Sequence, residues 1–254
     1  MVPVLWSLTK MIVPPSAKPF REFDQYASSY AELLEDPLRT RFARDPLHFH
    51  RRKWIILQRL LSRENISIAN QRWLDIGCGR GELLDMAGQN FAEAMGCDPS
   101  TEMISHICSF RKMHQPSLSE LPLKDASVDF VTAVCVYHHV HGAARNALSK
   151  EIWRVLAPGG LCCIIEHNPL NPFTQSIVRR CPVDADAELL TAQEMSTLLL
   201  SAGLRTKSVD YFLYVPEKIF KWVGWSERLL AKVVLGGQYA VVSRKPAFLC
   251  HDWQ

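Results

Sequence analysis

The run Leu74-Asp75-Ile76-Gly77-Cys78-Gly79-Arg80-Gly81-Glu82-Leu83-Leu84 constrains this chain more than any other segment. It carries a short apolar strand through three glycines straight into a helical pattern. Glycine reaches backbone conformations closed to other residues and lets a ligand approach the main chain closely. A dinucleotide fingerprint, G-x-G-x-x-G, would place its third glycine at Glu82, whereas this chain has glycine one position earlier, at Gly81. The spacing is therefore wrong for a nicotinamide dinucleotide. Asp75, just ahead of the turn, points the same way, because its carboxylate would repel a pyrophosphate and attract an ammonium group.

Apolar periodicity extends this unit into a larger fold. Residues 72–76, 93–97, 128–136 and 161–165 read as strands, and 82–89, 101–108, 143–155 and 192–202 have helical spacing between and after them. That alternation predicts a mostly parallel sheet with helices on both faces. Gly88 and Gly203 are expected helix stops, and Ala157-Pro158-Gly159-Gly160 is expected to break the chain just before a strand. Strands over 209–215 and 238–243, with a helix over 217–234 between them, would complete the sheet as a hairpin. Residues 167–182 hold three prolines and two asparagines and are expected to be irregular, at the carboxyl end of a central strand where substrates bind.

Composition limits the rest. With 254 residues, 48% hydrophobic, one large core is affordable without disulfides or metal. A net charge of +3 with scattered basic residues gives no footprint for nucleic acid, which disfavours such a partner. The eight cysteines show no CxxC pair and several lie in apolar runs, which suggests reduced core thiols in a cytoplasm. Prolines 3, 14 and 15 and Lys10 interrupt the apolar start and argue against a signal peptide, and no segment reaches the length of a membrane span. The expected organisation is a flexible arm at 1–20, a domain over 21–246 and a tail at 247–254. The domain divides into a helical cap at 21–70, a cofactor-binding core at 71–166, and a substrate-side insert with the last strands at 167–246.

A second motif, Gly96-Cys97-Asp98-Pro99-Ser100, places a carboxylate at a strand end 23 residues after Asp75, where it can accept hydrogen bonds from both hydroxyls of a ribose. Together the two segments resemble motifs I and II of class I S-adenosylmethionine-dependent methyltransferases, of the type 11-like kind. Three more segments agree: Phe23-Asp24-Gln25-Tyr26-Ala27-Ser28-Ser29-Tyr30 resembles the family's entry segment, 129–140 its DxVxxxxVxHHV strand, and 154–160 its RVLxPGG turn. The resemblance covers roughly residues 23–244.

The resemblance implies an α/β, Rossmann-like class I methyltransferase fold with a seven-stranded sheet and a helical N-terminal cap. It implies S-adenosylmethionine as cofactor and S-adenosylhomocysteine as product. Asp75, Gly77, Cys78, Gly79 and Gly81 would border the methionine part, Asp98 the ribose and Pro99 the adenine. Cys135 and Val136 would meet the methionine end, while Tyr26 and Tyr30 close over the cofactor. Ser117 and Leu118 occupy the segment where such enzymes often carry an aspartate for the adenine amino group, a departure from the pattern.

The acceptor side rests on chemistry alone. A hydroxyl acceptor must lose its proton, and His138, Glu166 and His167, at the carboxyl ends of the strands, are the candidate catalytic groups. The bland reading is that Glu166 and His167 only fix the shape of the insert. No metal is expected, because neighbours such as His138 and His139 on a strand point to opposite faces. The expected activity is methyl transfer to a small or lipid-like organic molecule, most simply at oxygen. The alternatives are an RNA or protein methyltransferase, or a protein that binds S-adenosylmethionine without catalysis.

Overall fold

Apolar runs such as Trp73-Leu74 and Cys162-Cys163-Ile164-Ile165 must be covered on both faces, which a sheet buried between helix layers achieves. The computed structural model describes residues 22–117 and 120–247. Within them, seven strands form one sheet: β1 (Arg72–Ile76), β2 (Glu93–Asp98), β3 (Arg111–His114), β4 (Val128–Val134), β5 (Leu156–His167), β6 (Arg205–Phe212) and β7 (Gln238–Arg244). Their order is β3-β2-β1-β4-β5-β7-β6. Strands β1 to β5 pair in parallel, and β7 runs antiparallel between β5 and β6. The arm at 1–20, most of the tail and Leu118 lie outside the described residues.

The cap holds α1 (Glu22–Tyr26), α2 (Tyr30–Leu33), α3 (Pro37–Phe42) and α4 (His48–Arg63). After it come α5 (Glu82–Ala87), α6 (Thr101–Ser105), α7 (Ala143–Val155), α8 (Pro172–Val178), α9 (Ala192–Ser201), α10 (Glu217–Val223) and α11 (Glu227–Leu230). Alternation along the strands sorts the core into two layers. Trp73, Phe130, Cys163 and Ile165 pack with Leu57, Leu60 and Leu61 of α4 and Leu84 of α5. Leu74, Val131, Cys162 and Ile164 pack with Leu148 and Ile152 of α7 and Leu199 of α9. Each such side chain contributes roughly 1.5–3 kcal/mol by leaving water.

The order fixes where a ligand can sit. From β1 the chain crosses to β2 on one side and, after β3, returns to β4 on the other, so the crevice beyond the carboxyl ends of β1 and β4 is the topological switch point.

Several elements differ from the expectations. Strand β3 has only one half-buried position in the sequence Arg-Lys-Met-His, so apolar patterning missed it. Ala157-Pro158-Gly159-Gly160 does not precede β5 but forms a bulge within it: Val128 pairs with Leu156 and Phe130 with Leu161. Gly159 supplies the φ of +81° that the bulge needs. Gly88 stays helical at φ −58° and opens a 3₁₀ turn, because its missing side chain makes room for the Phe110 ring. The segment after His167 is not irregular throughout, since it contains α8. Asn171 caps that helix by accepting from Thr174 N at 2.9 Å, and Pro172 sits in its first turn, so two residues read as turn signals are helix-start signals. The expected helix over 217–234 is broken into α10 and α11 around Gly224.

Candidate active site

The glycine turn is strained in a way only glycine accepts. Gly77, Gly79 and Gly81 have φ of +63°, +55° and +86°. The turn is tied down by Cys78 N donating to Cys97 O at 3.1 Å and Gly81 N to Cys78 O at 3.0 Å. A Cβ on Gly77 would lie 2.5 Å from a Val136 methyl, and one on Gly81 2.7 Å from Ile107, whereas one on Gly79 would meet nothing within 4 Å. The chain therefore leaves open space above Gly79. Gly77→Ala is expected to combine this clash with αL strain and to lower stability by about 3 kcal/mol. Gly79→Ala should lose only about 1–2 kcal/mol, from strain alone, while its methyl enters the open space. Thermal melts of the two variants check this; equal losses would contradict it.

Two carboxylates flank that space. Asp98, at the end of β2, is buried and accepts from Gly79 N and from Ser100 N, both at 2.9 Å. Burial raises its pKa against these two hydrogen bonds. Asp75, in β1, is buried and accepts from Thr132 Oγ1 at 2.5 Å, and Thr132 in turn accepts from Trp73 Nε1 at 2.8 Å. Burial pushes the Asp75 pKa up to about 7, although the Thr132 bond and the positive charge of Lys53 oppose the rise. The cap is latched to the same rim: Ser100 Oγ donates to Asp24 Oδ1 at 2.5 Å.

The second wall is the turn after β4, which a buried glutamate organises. Cys135 takes φ +58° and donates its N–H to Ile165 O at 2.8 Å. Glu166 Oε1 accepts from Val136 N at 2.8 Å and Tyr137 N at 2.7 Å, and its Oε2 lies 2.6 Å from His138 Nδ1. On the far side of that ring Asp184 Oδ1 stands 3.5 Å from His138 Nε2 and 3.4 Å from His139 Nε2. Burial alone would lower the His138 pKa, but Glu166 and Asp184 outweigh it and raise it to about 10. His139 goes the other way, to about 3, through burial and the charge on His138. His167 is half-buried, its ring 5.2 Å from that of His138, with Gln238 Nε2 3.5 Å from its Nδ1. Gln238 Nε2 also donates to Cys135 Sγ at 3.3 Å. Burial would raise the Cys135 thiol, but Lys53 and His167 bring it down to about 7.

Most sequence candidates thus converge on one crevice. Tyr30 is half-buried, and burial together with Cys135, Glu82 and Asp184 opposes its ionisation, which places it between the glycine-turn helix and the Cys135 turn. Tyr26, half-buried, packs near Phe23, whose ring stands 5.1 Å from His139. Pro99 O meets His114 Nε2 at 3.0 Å, and Ser117 O accepts from Gln115 Nε2 at 3.1 Å on the rim of β3. Burial and the two carboxylates hold the Cys78 thiol far above its usual range. Sequence reasoning missed Asp24, Lys53, Thr132, Asp184 and Gln238. Asp24 and Thr132 lay inside quoted motifs without being singled out; Lys53, Asp184 and Gln238 reach the site by folding.

The residues fit a ligand with a cationic and a sugar end. Among the described residues the space over Gly79 is open, the buried carboxylates of Asp75 and Asp98 lie in the strand ends beside it, and Gln238 Oε1 is a buried acceptor with no hydrogen-bond partner. A doubly wound sheet with this cleft at its switch point defines the class: a Rossmann-like domain that binds a nucleoside-bearing cofactor.

Comparison with known proteins names the class more narrowly. The family described as "Methyltransferase domain" matches residues 74–164. A probable S-adenosylmethionine-dependent methyltransferase of Mycolicibacterium smegmatis is 29% identical over 173 residues, 63% of this chain and 60% of that protein. A ubiquinone biosynthesis O-methyltransferase of Psychrobacter arcticus is 24% identical over 62% of this chain and 68% of its own. Among solved structures, a possible histamine N-methyltransferase of Thermotoga maritima superposes with a TM-score of 0.63 at 18% identity, over 88% of this chain and 98% of that one. The chain spans 55–60% of the length of the first mycobacterial relatives it matches. Over residues 74–164 the chain carries a methyltransferase domain, and its fold is that of Rossmann-like S-adenosylmethionine-dependent methyltransferases.

Proposed function

We propose that the protein transfers a methyl group from S-adenosylmethionine to a hydroxyl of a small or lipid-like organic acceptor. The observation that carries this is the open space over Gly79 beside two buried carboxylates, of which we assign Asp98 to the ribose hydroxyls and Asp75 to the ammonium group. The cofactor supplies a methyl already activated on a sulfonium, so most of the remaining barrier is alignment. The chain's own residues do that work. Asp98 positions the sugar, Asp75 with Thr132 and Lys53 receives the methionine end, and Tyr26 and Tyr30 of the cap exclude water above it. The similarity to ubiquinone biosynthesis O-methyltransferases supports a small hydroxylated acceptor.

The three catalytic candidates divide by geometry. Glu166 has both oxygens engaged, and His138 is held protonated between two carboxylates. Neither is a base at neutral pH; they act as positioning residues that shape the 135–138 turn. His167 stands at the crevice beside Cys135 and Gln238 and is the group left to take the acceptor proton. Release of S-adenosylhomocysteine over a panel of phenols, catechols and prenylated quinols, with RNA and histone peptides as the other arms, tests the reading. Turnover on the hydroxylated arm is expected, with His167→Gln lowering kcat about 100-fold and leaving KM for the cofactor unchanged. Turnover confined to RNA or peptide, or cofactor binding without turnover on any arm, would overturn it.

A further inference from the structure

Residues 217–235 expose two kinds of side chain and hide a third. Ile219, Trp222, Trp225, Leu229 and Leu235 are 50, 74, 68, 75 and 56% exposed. Lys218, Lys221 and Arg228 lie exposed among them, with no carboxylate within ion-pair distance among the described residues. Of the two acids of the segment, Glu227 is buried and Glu217 is half-buried with its carboxylate bonded to backbone N–H groups. Glu217 accepts from Arg44 N at 2.7 Å, and Glu227 pairs with Arg52 and accepts from Tyr214 N and Val215 N at 3.0 Å. The patch continues onto α8, where Phe173 is 70% exposed and Asn171 Nδ2 donates to Leu235 O at 2.7 Å.

We propose that this face docks the protein on the surface of an anionic lipid bilayer. Two exposed tryptophans beside branched aliphatics suit the interfacial zone of a membrane, where the indole ring sits at headgroup level. Short helices with an apolar face rimmed by lysine and arginine lie in that plane, and with Glu227 buried against Arg52 the fully exposed charges of the segment are cationic, as anionic headgroups require. A second copy of the chain fits less well, since an isologous contact would oppose the same cations. No helix among the described residues is long and apolar enough to cross a membrane, so the association is with the surface. The face also backs onto the cap: the Arg52 guanidinium lies 3.6 Å from the Phe220 ring centre, and the next residue, Lys53, is the one that influences Asp75 and Cys135. Docking would press the cap side of the crevice toward the bilayer. The inference does not depend on methyl transfer.

Flotation of the full chain with vesicles tests it, using phosphatidylcholine alone and phosphatidylcholine with a quarter phosphatidylglycerol, at 0.1 and 0.5 M salt. Binding to the anionic vesicles is expected to exceed that to neutral ones by about 100-fold at low salt and to weaken at high salt. The Trp222→Ser, Trp225→Ser, Leu229→Ser variant and the Lys218→Glu, Lys221→Glu, Arg228→Glu variant should each lose that binding by tenfold or more without a change in melting temperature, because every substituted side chain is exposed. Failure to float, equal binding to both vesicles, or indifference to both variants overturns the proposal. A concentration-dependent dimer that both variants dissolve, with no flotation, would assign the face to a second copy, and capture of an acidic protein without flotation would assign it to that partner.

Discussion

Asp98→Ala should weaken binding of S-adenosylmethionine and S-adenosylhomocysteine about 1000-fold in a calorimetric titration. In the proposed mode the carboxylate accepts from two ribose hydroxyls while its other lone pairs hold Gly79 N and Ser100 N. Hydrogen bonds to a charged acceptor contribute about 1.5–3 kcal/mol each, so losing both lowers affinity by two to four orders of magnitude. The substitution also releases the glycine turn, because Gly79 N loses its acceptor. Asp98→Asn separates the two effects: one amide oxygen can keep one donor satisfied, and the affinity should fall between wild type and alanine. Wild-type affinity retained in Asp98→Ala would remove Asp98 from the cofactor site, and with it the observation on which the functional reading stands.

The second large effect is structural and falls at Glu166. Its carboxylate serves two backbone N–H groups and the His138 ring from a fully buried position. Glu166→Gln removes the carboxylate charge that does most to keep the buried His138 protonated and leaves one of the three donors bound by Glu166 facing an amide N–H. Breaking one partner of a buried pair costs about 3–5 kcal/mol, which for a domain of this size lowers Tm by roughly 10 °C. The pH dependence follows from the shifts. His138 has its pKa raised from 6.5 to about 10, so its stabilisation is complete below pH 6.5 and is lost as pH rises toward 10. Asp184 is lowered from 3.8 to about 2, burial being outweighed by His138 and its neighbours, so its stabilisation is present above 3.8 and lost as pH falls toward 2. Wild-type stability should therefore decline on the alkaline side, and Glu166→Gln should flatten that decline. Chemical denaturation across pH 5–10 reads both. A variant with unchanged stability and the same alkaline slope would show that Glu166 does not hold the turn.

These residues mark how far the sequence could be read. The turn at Gly77, Gly79 and Gly81 was legible because the geometry of a tight strand-to-helix turn is local, set by a few adjacent residues, and Asp75 and Asp98 stand out beside it as carboxylates at strand ends. The strands that are buried on both faces were legible for the same reason, since their apolar runs need no partner to be recognised. Strand β3 was not, because its place at the edge leaves Arg111, Lys112 and His114 exposed and gives no apolar signal. Helix α8 was misread because Asn and Pro serve both turns and helix starts, and only the chain that follows decides between them.

The sequence by itself determined the fold class and the strand-to-helix glycine turn, and it named the residues that we assign to the donor side of the site. The tertiary structure decided the acceptor side. His138 could be named a base from its residue type, but its protonation depends on Asp184, 46 positions away, and on Glu166 closing from the next strand. Lys53, Thr132 and Gln238 entered the crevice from a cap helix and two further strands. Local backbone geometry is encoded in neighbouring residues, whereas the charge state of a buried group depends on every element that folds against it.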